Sequence, residues 1–145
     1  MNKSRRHNRV EVIQVLYKYM LLNETIDAIE AFHEFDFLEA EQVQTIDKIA
    51  KNFESYKKVI MSFNRQERSW ERIDPIIRAI LLNAANELIT IPPKIVINEA
   101  LEITKLFFKN DPECDKLKNF VNALLQNIYK FIVFKASQKK ENNNQ

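Results

Sequence analysis

The chain contains no glycine in 145 residues, and this absence limits what it can fold into. Glycine supplies the positive φ angles of tight hairpins, so a sheet of short connected strands is disfavoured. Phosphate-binding loops, dinucleotide fingerprints and nucleophile elbows also need glycine where the backbone turns sharply or approaches a ligand. The sequence therefore predicts an all-α protein with helices joined by Asn, Asp and Pro turns, and it disfavours the common nucleotide and hydrolase sites.

Apolar residues recur every three to four positions along almost the whole chain, the spacing that gives a helix one buried face. The first such run begins at Val10, and the clearest extends from Leu117 to Ile132. Residue pairs that contain proline, at positions 74–75, 92–93 and 111–112, predict helix starts because proline is tolerated at the first helical position. We expect a compact bundle of about seven helices.

Composition predicts one soluble globular domain. Hydrophobic residues make up 46% of the chain and charged residues 29%, which suits a folded core. No apolar run reaches membrane-spanning length and the N-terminus is polar, so we expect a cytoplasmic protein without membrane contact. One cysteine, Cys114, and two histidines are too few for a disulfide or a zinc site, and we expect no metal and no cofactor. The domain should cover residues 1–137, followed by a disordered polar tail at 138–145.

The net charge of +2 is unevenly distributed along the chain. Residues 1–9 carry four cations and no acid, a charge of +4, whereas residues 24–54 carry nine acids and two lysines, a charge of −7. Cations at a helix start oppose the helix dipole by about 0.3–1 kcal/mol each. The basic end is therefore either an ordinary solvated tail or a surface for a polyanion, and charge alone leaves both readings open.

Four segments carry a more specific pattern. They read RRHNRVEVIQVLY at 5–17, AILLNAANELI at 79–89, IPPKIVINEALEITKLF at 91–107 and NFVNALLQNI at 119–128. In order and separation they resemble the NusB family of transcription antitermination factors. That family has an arginine-rich start, an Ala-Leu-rich helix ending in Glu-Leu, a Pro-x-x-Val-x-Ile-Asn-Glu-Ala segment and a Phe-Val-Asn-Gly-Val-Leu segment. The resemblance covers nearly the whole chain up to about Ile132.

The resemblance implies a fold of two packed three-helix bundles. It also implies binding of a short single-stranded RNA element, boxA, in nascent ribosomal RNA transcripts, together with a ribosomal protein called NusE in this role. Such a pair helps to recruit factors that keep the transcription elongation complex from terminating, and it serves rRNA maturation. The implied role is that of an adaptor without catalytic activity. Family members occur as monomers and dimers, so a homodimer stays open.

Candidate RNA-binding residues lie in two parts of the sequence. Cationic side chains can follow the phosphates of a single strand, and aromatic rings can stack on unpaired bases. With four cations engaged, the slope of log affinity against log salt should approach about −3. We expect the two parts to form one concave strip. The candidates are Lys3, Arg5, Arg6, His7, Arg9 and Gln14 at the amino end, and Lys116, Lys118, Asn119, Phe120 and Asn122 before and within the last helix.

Phe120 and the Asn98–Glu99 pair can each be interpreted as structural residues. Phe120 also fits the apolar stripe of the last helix, so a core position is equally expected for it. Asn98 and Glu99 pair an amide with a carboxylate, but no nucleophile or histidine accompanies them, and a polar role at a helix start is favoured over acid-base catalysis.

By resemblance, NusE would dock around Glu71, Asp74, Ile77 and Arg78.

The chain departs from the family pattern at several positions: Leu82, Asn86, Asn119 and Ala123 stand where arginine, tyrosine, lysine and glycine are usual, His7 stands where another arginine is usual, and Ile77 where an acidic residue is common. Asn119 removes a phosphate-binding charge, although two lysines lie close to it in the sequence. These departures leave an alternative function open, that of a protein–protein scaffold with lost or altered RNA recognition. A third reading, kinship with the helical domain of rRNA methyltransferases, is disfavoured because the chain has no room for a catalytic half.

Overall fold

The computed structural model describes residues 3–64 and 69–143, and these residues form seven α-helices, one 3₁₀ turn and no strand. The all-α architecture and the number of helices are thereby confirmed. The helices are α1 (Arg5–Leu22), α2 (Ala28–Glu34), α3 (Ala40–Lys51), α4 (Phe53–Ser62), α5 (Pro75–Glu87), α6 (Pro93–Phe107) and α7 (Cys114–Asn143).

Two of the Asp-Pro and Pro-Pro pairs begin helices as expected, and the third does not. The Asp74 carboxylate accepts a hydrogen bond from the Ile76 backbone N–H at 2.8 Å, and Pro75 is the first residue of α5. The pair at 92–93 starts α6 in the same position. In contrast, the Asp111 carboxylate accepts from the Glu113 N–H at 2.8 Å in a turn that precedes α7. This Asp-Pro pair therefore forms a turn before the helix and is not its cap.

The end of α1 shows how a chain without glycine turns sharply. Asn23 follows the helix in the left-handed region, with φ 54° and ψ 44°, and it is the only residue with positive φ in the described ranges. Its backbone N–H donates to the Met20 carbonyl at 3.4 Å. Apart from glycine, asparagine is one of the few residues that commonly adopt this conformation, so Asn23 ends the helix where other proteins often have glycine.

The helices pack in two groups around one continuous core. In the first group, α1 and α2 both contact α3; in the second, α5 contacts α4, α6 and α7, and α6 packs on α7. The most extensive helix pair, α1 with α5, joins the two groups. A single apolar cluster extends through both of them. This packing is compatible with the expected bundle pair.

Helix α5 is the centre of the molecule, since every residue from 77 to 86 is buried. The chain must therefore satisfy the polar groups of this helix internally. The Tyr56 hydroxyl donates to Asn86 Oδ1 at 2.8 Å, and Arg78 Nε donates to the Ile73 carbonyl at 3.0 Å. Burial lowers the pKa of the Arg78 guanidinium, which lies 5.6 Å from the centre of the Trp70 ring.

The last helix is longer than the sequence patterns suggest. α7 continues to Asn143, whereas we expected a disordered polar tail over residues 138–145, of which 144–145 lie outside the described residues. The segment after Phe134 contains no proline or glycine, and Ala, Gln, Lys and Glu are good helix formers. Propagation of a helix from a packed start is easier than its nucleation, which explains the extension.

The Tyr56–Asn86 hydrogen bond should contribute measurably to stability. We expect Tyr56→Phe to lower the free energy of unfolding by about 1–3 kcal/mol, because it leaves a buried amide oxygen without a donor. Tyr17→Phe is the matched control, since Tyr17 is only half-buried and its hydroxyl has no hydrogen bond among the described residues. The measurement is urea unfolding followed by circular dichroism.

The double variant Tyr56→Phe with Asn86→Leu separates the hydrogen bond from packing. Replacing both partners by apolar groups should recover part of the lost stability. If Tyr56→Phe costs no more than Tyr17→Phe, the buried pair does not contribute as argued.

Candidate nucleic-acid interface

Lys3, the first cation of the basic amino end, binds groups of the protein itself. Lys3 Nζ lies 2.6 Å from a carboxylate oxygen of Glu11 and 3.0 Å from Gln42 Oε1, and it also donates to the Phe37 carbonyl. These contacts join the start of the chain to the beginning of α3. The buried Glu11 keeps its charge, because burial raises its pKa but hydrogen bonds from Lys3 and Gln42 outweigh this effect and lower it.

Arg6 forms a two-pronged ion pair with Glu99 on α6. Its Nε and Nη2 atoms each lie 2.9 Å from a different carboxylate oxygen, the fork geometry that fits carboxylates best. The hydrogen bond and charge of Arg6 lower the pKa of Glu99. The Arg6 side chain nevertheless remains 47% exposed, and its Nη1 atom is not used in the pair.

Arg9 is held more tightly. Its Nε atom lies 2.9 and 3.0 Å from the two carboxylate oxygens of Glu87 at the end of α5, and its Nη1 atom lies 3.9 Å from Glu99. Both members of the Arg9–Glu87 pair are largely buried, with side chains 12% and 13% exposed. Asn83 donates a further hydrogen bond to Glu87 at 2.8 Å. Arg9 is therefore mainly a structural link between α1 and α5.

The three other amino-end candidates lie on α1, Arg5 and His7 in its first turn and Gln14 near its middle. Arg5 is exposed and has no ion pair with the described residues. His7 is exposed, with Nε2 3.4 Å from a Glu11 carboxylate oxygen. Gln14 is exposed on α1. Of the four amino-end cations, Arg5 and the free edge of Arg6 are the ones available to an external anion.

The second group of candidates lies on α7. Lys116 and Phe120 line a small cavity of about 70 Å³ together with residues from the start of α5. Asn119 is exposed, while Lys118, Phe120 and Asn122 are half-buried. Phe120 packs at the edge of the apolar core, so its ring is only partly available to stack on a base. The cavity is lined by Ile73, Asp74, Ile77, Glu113, Lys116, Leu117 and Phe120.

The two candidate groups lie at opposite ends of α5. Arg9 contacts Glu87 at the carboxyl end of that helix, whereas Lys116 and Phe120 lie near Asp74 at its amino end. At 1.5 Å per residue, the thirteen residues between these ends span about 20 Å. The groups do not converge on one point, and a ligand touching both must extend over that length. A single strand stacked at 3.4 Å per nucleotide would need about six nucleotides.

The expected partner-docking residues are divided between surface and interior. Glu71 and Asp74 are exposed, but Ile77 is fully buried and Arg78 is buried with its hydrogen bonds directed to backbone carbonyls. Of the four predicted docking residues, only Glu71 and Asp74 are exposed to solvent. Arg78 also lies 3.5 Å from the Met20 carbonyl, which ties α5 to the end of α1.

The departures from the family pattern fall in different environments. Leu82 lies in the core, so the missing arginine does not remove an exposed charge. Asn86 is buried and accepts the Tyr56 hydrogen bond. Asn119 and Ala123 are exposed on α7, where only the first substitution changes the charge of the candidate interface.

Sequence reasoning did not identify the carboxylates that hold the arginines. Glu87 is 78 residues from Arg9 in the chain, and Glu99 is 93 residues from Arg6. No periodicity links residues at such separations. For the Asn98–Glu99 pair the sequence predicted a polar role at a helix start; in the structure Glu99 is an ion-pair partner of Arg6 and Asn98 is exposed.

Within residues 3–64 and 69–143, no group of histidine, cysteine and acidic side chains could hold a metal ion. None of the helices described is long and apolar enough to cross a membrane.

The Glu99–Arg6 pair should make stability depend on pH in a specific direction. The folded-state pKa of Glu99 lies below 4.5, so its contribution is present above that value and is lost as the pH falls through the folded pKa. We expect the free energy of unfolding of Glu99→Gln to fall less between pH 5 and pH 3 than that of the unchanged protein. Glu24→Gln, at an exposed position without an ion pair among the described residues, is the control and should follow the unchanged curve.

Comparison with known proteins agrees with this architecture. A sequence model of the NusB family matches residues 6–130. Relatives named transcription antitermination protein NusB include one from Fusobacterium nucleatum subsp. nucleatum, 36% identical over 88 residues, which cover 59% of this chain and 54% of the relative. A Haemophilus influenzae relative is 28% identical over 135 residues, covering 86% and 88% of the two chains. One from Actinobacillus pleuropneumoniae serotype 5b is 26% identical, covering 86% and 91%. The chain therefore belongs to the NusB family.

Proposed function

We propose that the protein is an RNA-binding adaptor for transcription antitermination and rRNA maturation. It binds single-stranded boxA-like RNA in nascent rRNA together with a NusE-type ribosomal protein, acts within the transcription elongation complex and has no catalytic activity. Family membership supports this role, and so do the names of the relatives. The structural observation that carries the proposal is the exposed cationic edge formed by Arg5 and Arg6 at the start of α1.

The cations of the amino end have different roles, because the carboxylates on α5 and α6 bind some of them and leave others accessible. Two nitrogen atoms of Arg6 bind Glu99, and the outer edge of its guanidinium stays accessible to a phosphate. The ion pair fixes the orientation of the guanidinium before RNA binds. Arg9 and Lys3 bind internal partners and hold the start of α1 in place. Arg5 is the cation best placed to bind a phosphate without first losing a partner.

The α7 group supplies the other end of the proposed interface. Asn119 is exposed and can donate to a base edge or a phosphate, and Lys116 and Lys118 supply charge close to it. Lys116 Nζ lies 3.7 Å from a Glu113 carboxylate oxygen, an exposed pair that an RNA phosphate can readily replace. The strand would cross the surface from α1 to α7 over a distance comparable with the roughly 20 Å length of α5.

The partner protein would dock beside this strand. Glu71 and Asp74 are exposed, Asp74 lines the cavity at the start of α5, and both present negative charge to a basic ribosomal protein. This placement puts the partner close to Lys116 and Phe120. RNA and partner could then contact each other, so binding of one would strengthen binding of the other.

Single substitutions should separate the phosphate-binding arginines from the structural one. We expect Arg5→Gln to flatten the slope of log affinity against log salt by about 0.7, the value for one phosphate on a single strand. Arg9→Gln should leave the slope nearly unchanged but lower the free energy of unfolding by about 1–3 kcal/mol, because Glu87 loses its partner while largely buried. The measurements are fluorescence anisotropy with labelled boxA-like RNA at several salt concentrations and urea unfolding.

Lys48→Gln is the matched control, since Lys48 is an exposed cation on α3 that forms no ion pair with the described residues. If Arg5→Gln and Lys48→Gln change the slope equally, the amino end does not contact phosphate specifically.

Specificity is tested by comparing boxA-like RNA with a scrambled sequence, each with and without the ribosomal protein. We expect tighter binding of the boxA-like strand and a further gain when the partner is present. Equal affinity for both RNAs under both conditions would contradict the proposal.

A protein–protein scaffold is the second candidate, and the internal ion pairs of Lys3, Arg6 and Arg9 favour it because they partly neutralise the basic end. Pull-down from lysate treated with ribonuclease distinguishes the two functions. Partners of a scaffold survive the treatment, whereas partners held through RNA are lost.

A further inference from the structure

The carboxyl end of α7 lies outside both the segment matched by the family model and the apolar core. The family match ends at residue 130, but the helix continues to Asn143. All residues from 131 to 143 are exposed, so this segment projects from the bundle. Thirteen helical residues extend about 20 Å.

The projecting helix carries an excess of positive charge, 4 − 1 = +3 over residues 130–143. Lys130, Lys135, Lys139 and Lys140 lie on this part of α7 and are balanced only by Glu141. None of the four lysines forms an ion pair with the described residues. The cations of the amino end differ in this respect, because three of the four there are paired with carboxylates. The uncompensated positive charge of α7 is therefore available to an external anion.

Two aromatic side chains, Phe131 and Phe134, lie between Lys130 and Lys135. Phe131 packs against Phe63 of the bundle, with ring centres 5.7 Å apart, and Lys135 Nζ lies 5.7 Å from the centre of the Phe131 ring. Phe134 is 56% exposed and makes no ring contact with another described aromatic residue. One ring thus anchors the extension to the bundle, and the other is presented to solvent.

The extension continues a face of α7 that already belongs to the proposed RNA interface. Asn119, Ala123, Lys130 and Phe134 are separated by four, seven and four residues, which places them on one side of a helix. All four are exposed. A strand that contacts Asn119 can therefore follow the same face of α7 onto the extension.

We infer that the carboxyl end of α7, residues 130–143, is a second contact surface for single-stranded RNA and binds nucleotides that flank the boxA-like element. This inference rests on the proposed function. The lysines bind phosphates, and Phe134 stacks on an unpaired base. Contact of this kind tolerates any sequence, because every nucleotide has a phosphate and a base face.

The distribution of charge favours RNA over a lipid surface or a folded partner. Successive lysines at 130, 135, 139 and 140 point in different directions around the helix at 100° per residue, so no side of it is purely apolar. A helix that lies on a membrane separates an apolar face from a charged one. A flexible polyanion can instead reach cations on several sides of the helix, with an exposed ring between them.

The experiment uses the full chain with Lys130, Lys135, Lys139 and Lys140 all changed to Gln. Two labelled RNAs are compared by salt titration: a short one that contains only the boxA-like element, and a longer one with about ten extra uridines on each side. For the long RNA, we expect the slope of log affinity against log salt to become flatter by up to about 3, at 0.7 per phosphate. The slope for the short RNA should stay within error of the unchanged protein.

A matched control removes the same number of charges elsewhere. Lys48, Lys58, Lys94 and Lys105 are exposed on α3, α4 and α6 and form no ion pair with the described residues. Changing these four to Gln alters net charge equally and should leave the difference between long and short RNA intact. If both quadruple variants lose the same slope, the effect is one of total charge and the inference is wrong.

The stacking role of Phe134 has its own test. We expect Phe134→Ala to weaken binding of the long RNA by at least about 5-fold without changing the salt slope, since stacking on an aromatic ring is sequence-tolerant and uncharged. Phe32→Ala, at a similarly exposed position on α2, should have no effect. An unchanged affinity for Phe134→Ala would remove the aromatic part of the inference.

The outcomes separate this inference from the proposed function. If the boxA-like and scrambled RNAs bind equally but the lysine variant still loses slope on the long strand, the proposed function fails and the second surface stands. If boxA-like RNA is preferred and the slope does not change, the function stands and the second surface is wrong. Lysine-dependent sedimentation with anionic phosphatidylglycerol vesicles, without an effect on RNA, would overturn the inference in favour of a membrane.

Discussion

The rest of the structure depends on the burial of α5, which packs against α1, α4, α6 and α7. A helix that is buried all round must satisfy its polar groups inside the protein. Arg78 does so through backbone carbonyls and Asn86 through the Tyr56 hydroxyl, so both polar groups help to fix how neighbouring segments meet. Because α5 is central, its two ends also determine where the candidate binding residues lie.

The carboxyl end of α5 links stability to the candidate interface. Glu87 at this end binds Arg9, Glu99 on α6 binds Arg6, and these two ion pairs hold the cationic start of α1 against the bundle. They also explain how a helix can begin with several cations although its dipole disfavours them. The carboxylates offset the unfavourable charge and orient Arg6 and Arg9, while Arg5 and the outer edge of Arg6 stay accessible to anions.

Much of the fold could be predicted because its signals are local. Apolar spacing indicated the helices, and the proline at position 75 marked the start of α5. Two local features were harder to predict. An Asp-Pro pair can cap a helix, as at position 74, or form a turn before one, as at position 111. A polar helix end such as that of α7 differs from a disordered tail only by small differences in helix propensity. For the candidate site, the residue types were evident from the sequence, but the burial of Arg9 and Ile77 was not.

The sequence by itself determined the helical class, the uneven charge and the family resemblance, because each depends on residue type and on spacing along one helix. Only the tertiary structure decided which cations are free, since the partners of Arg6 and Arg9 lie 93 and 78 residues away. The same holds for the separation of the two candidate groups by the length of α5. Contacts between distant segments follow from packing, and packing depends on the whole chain at once.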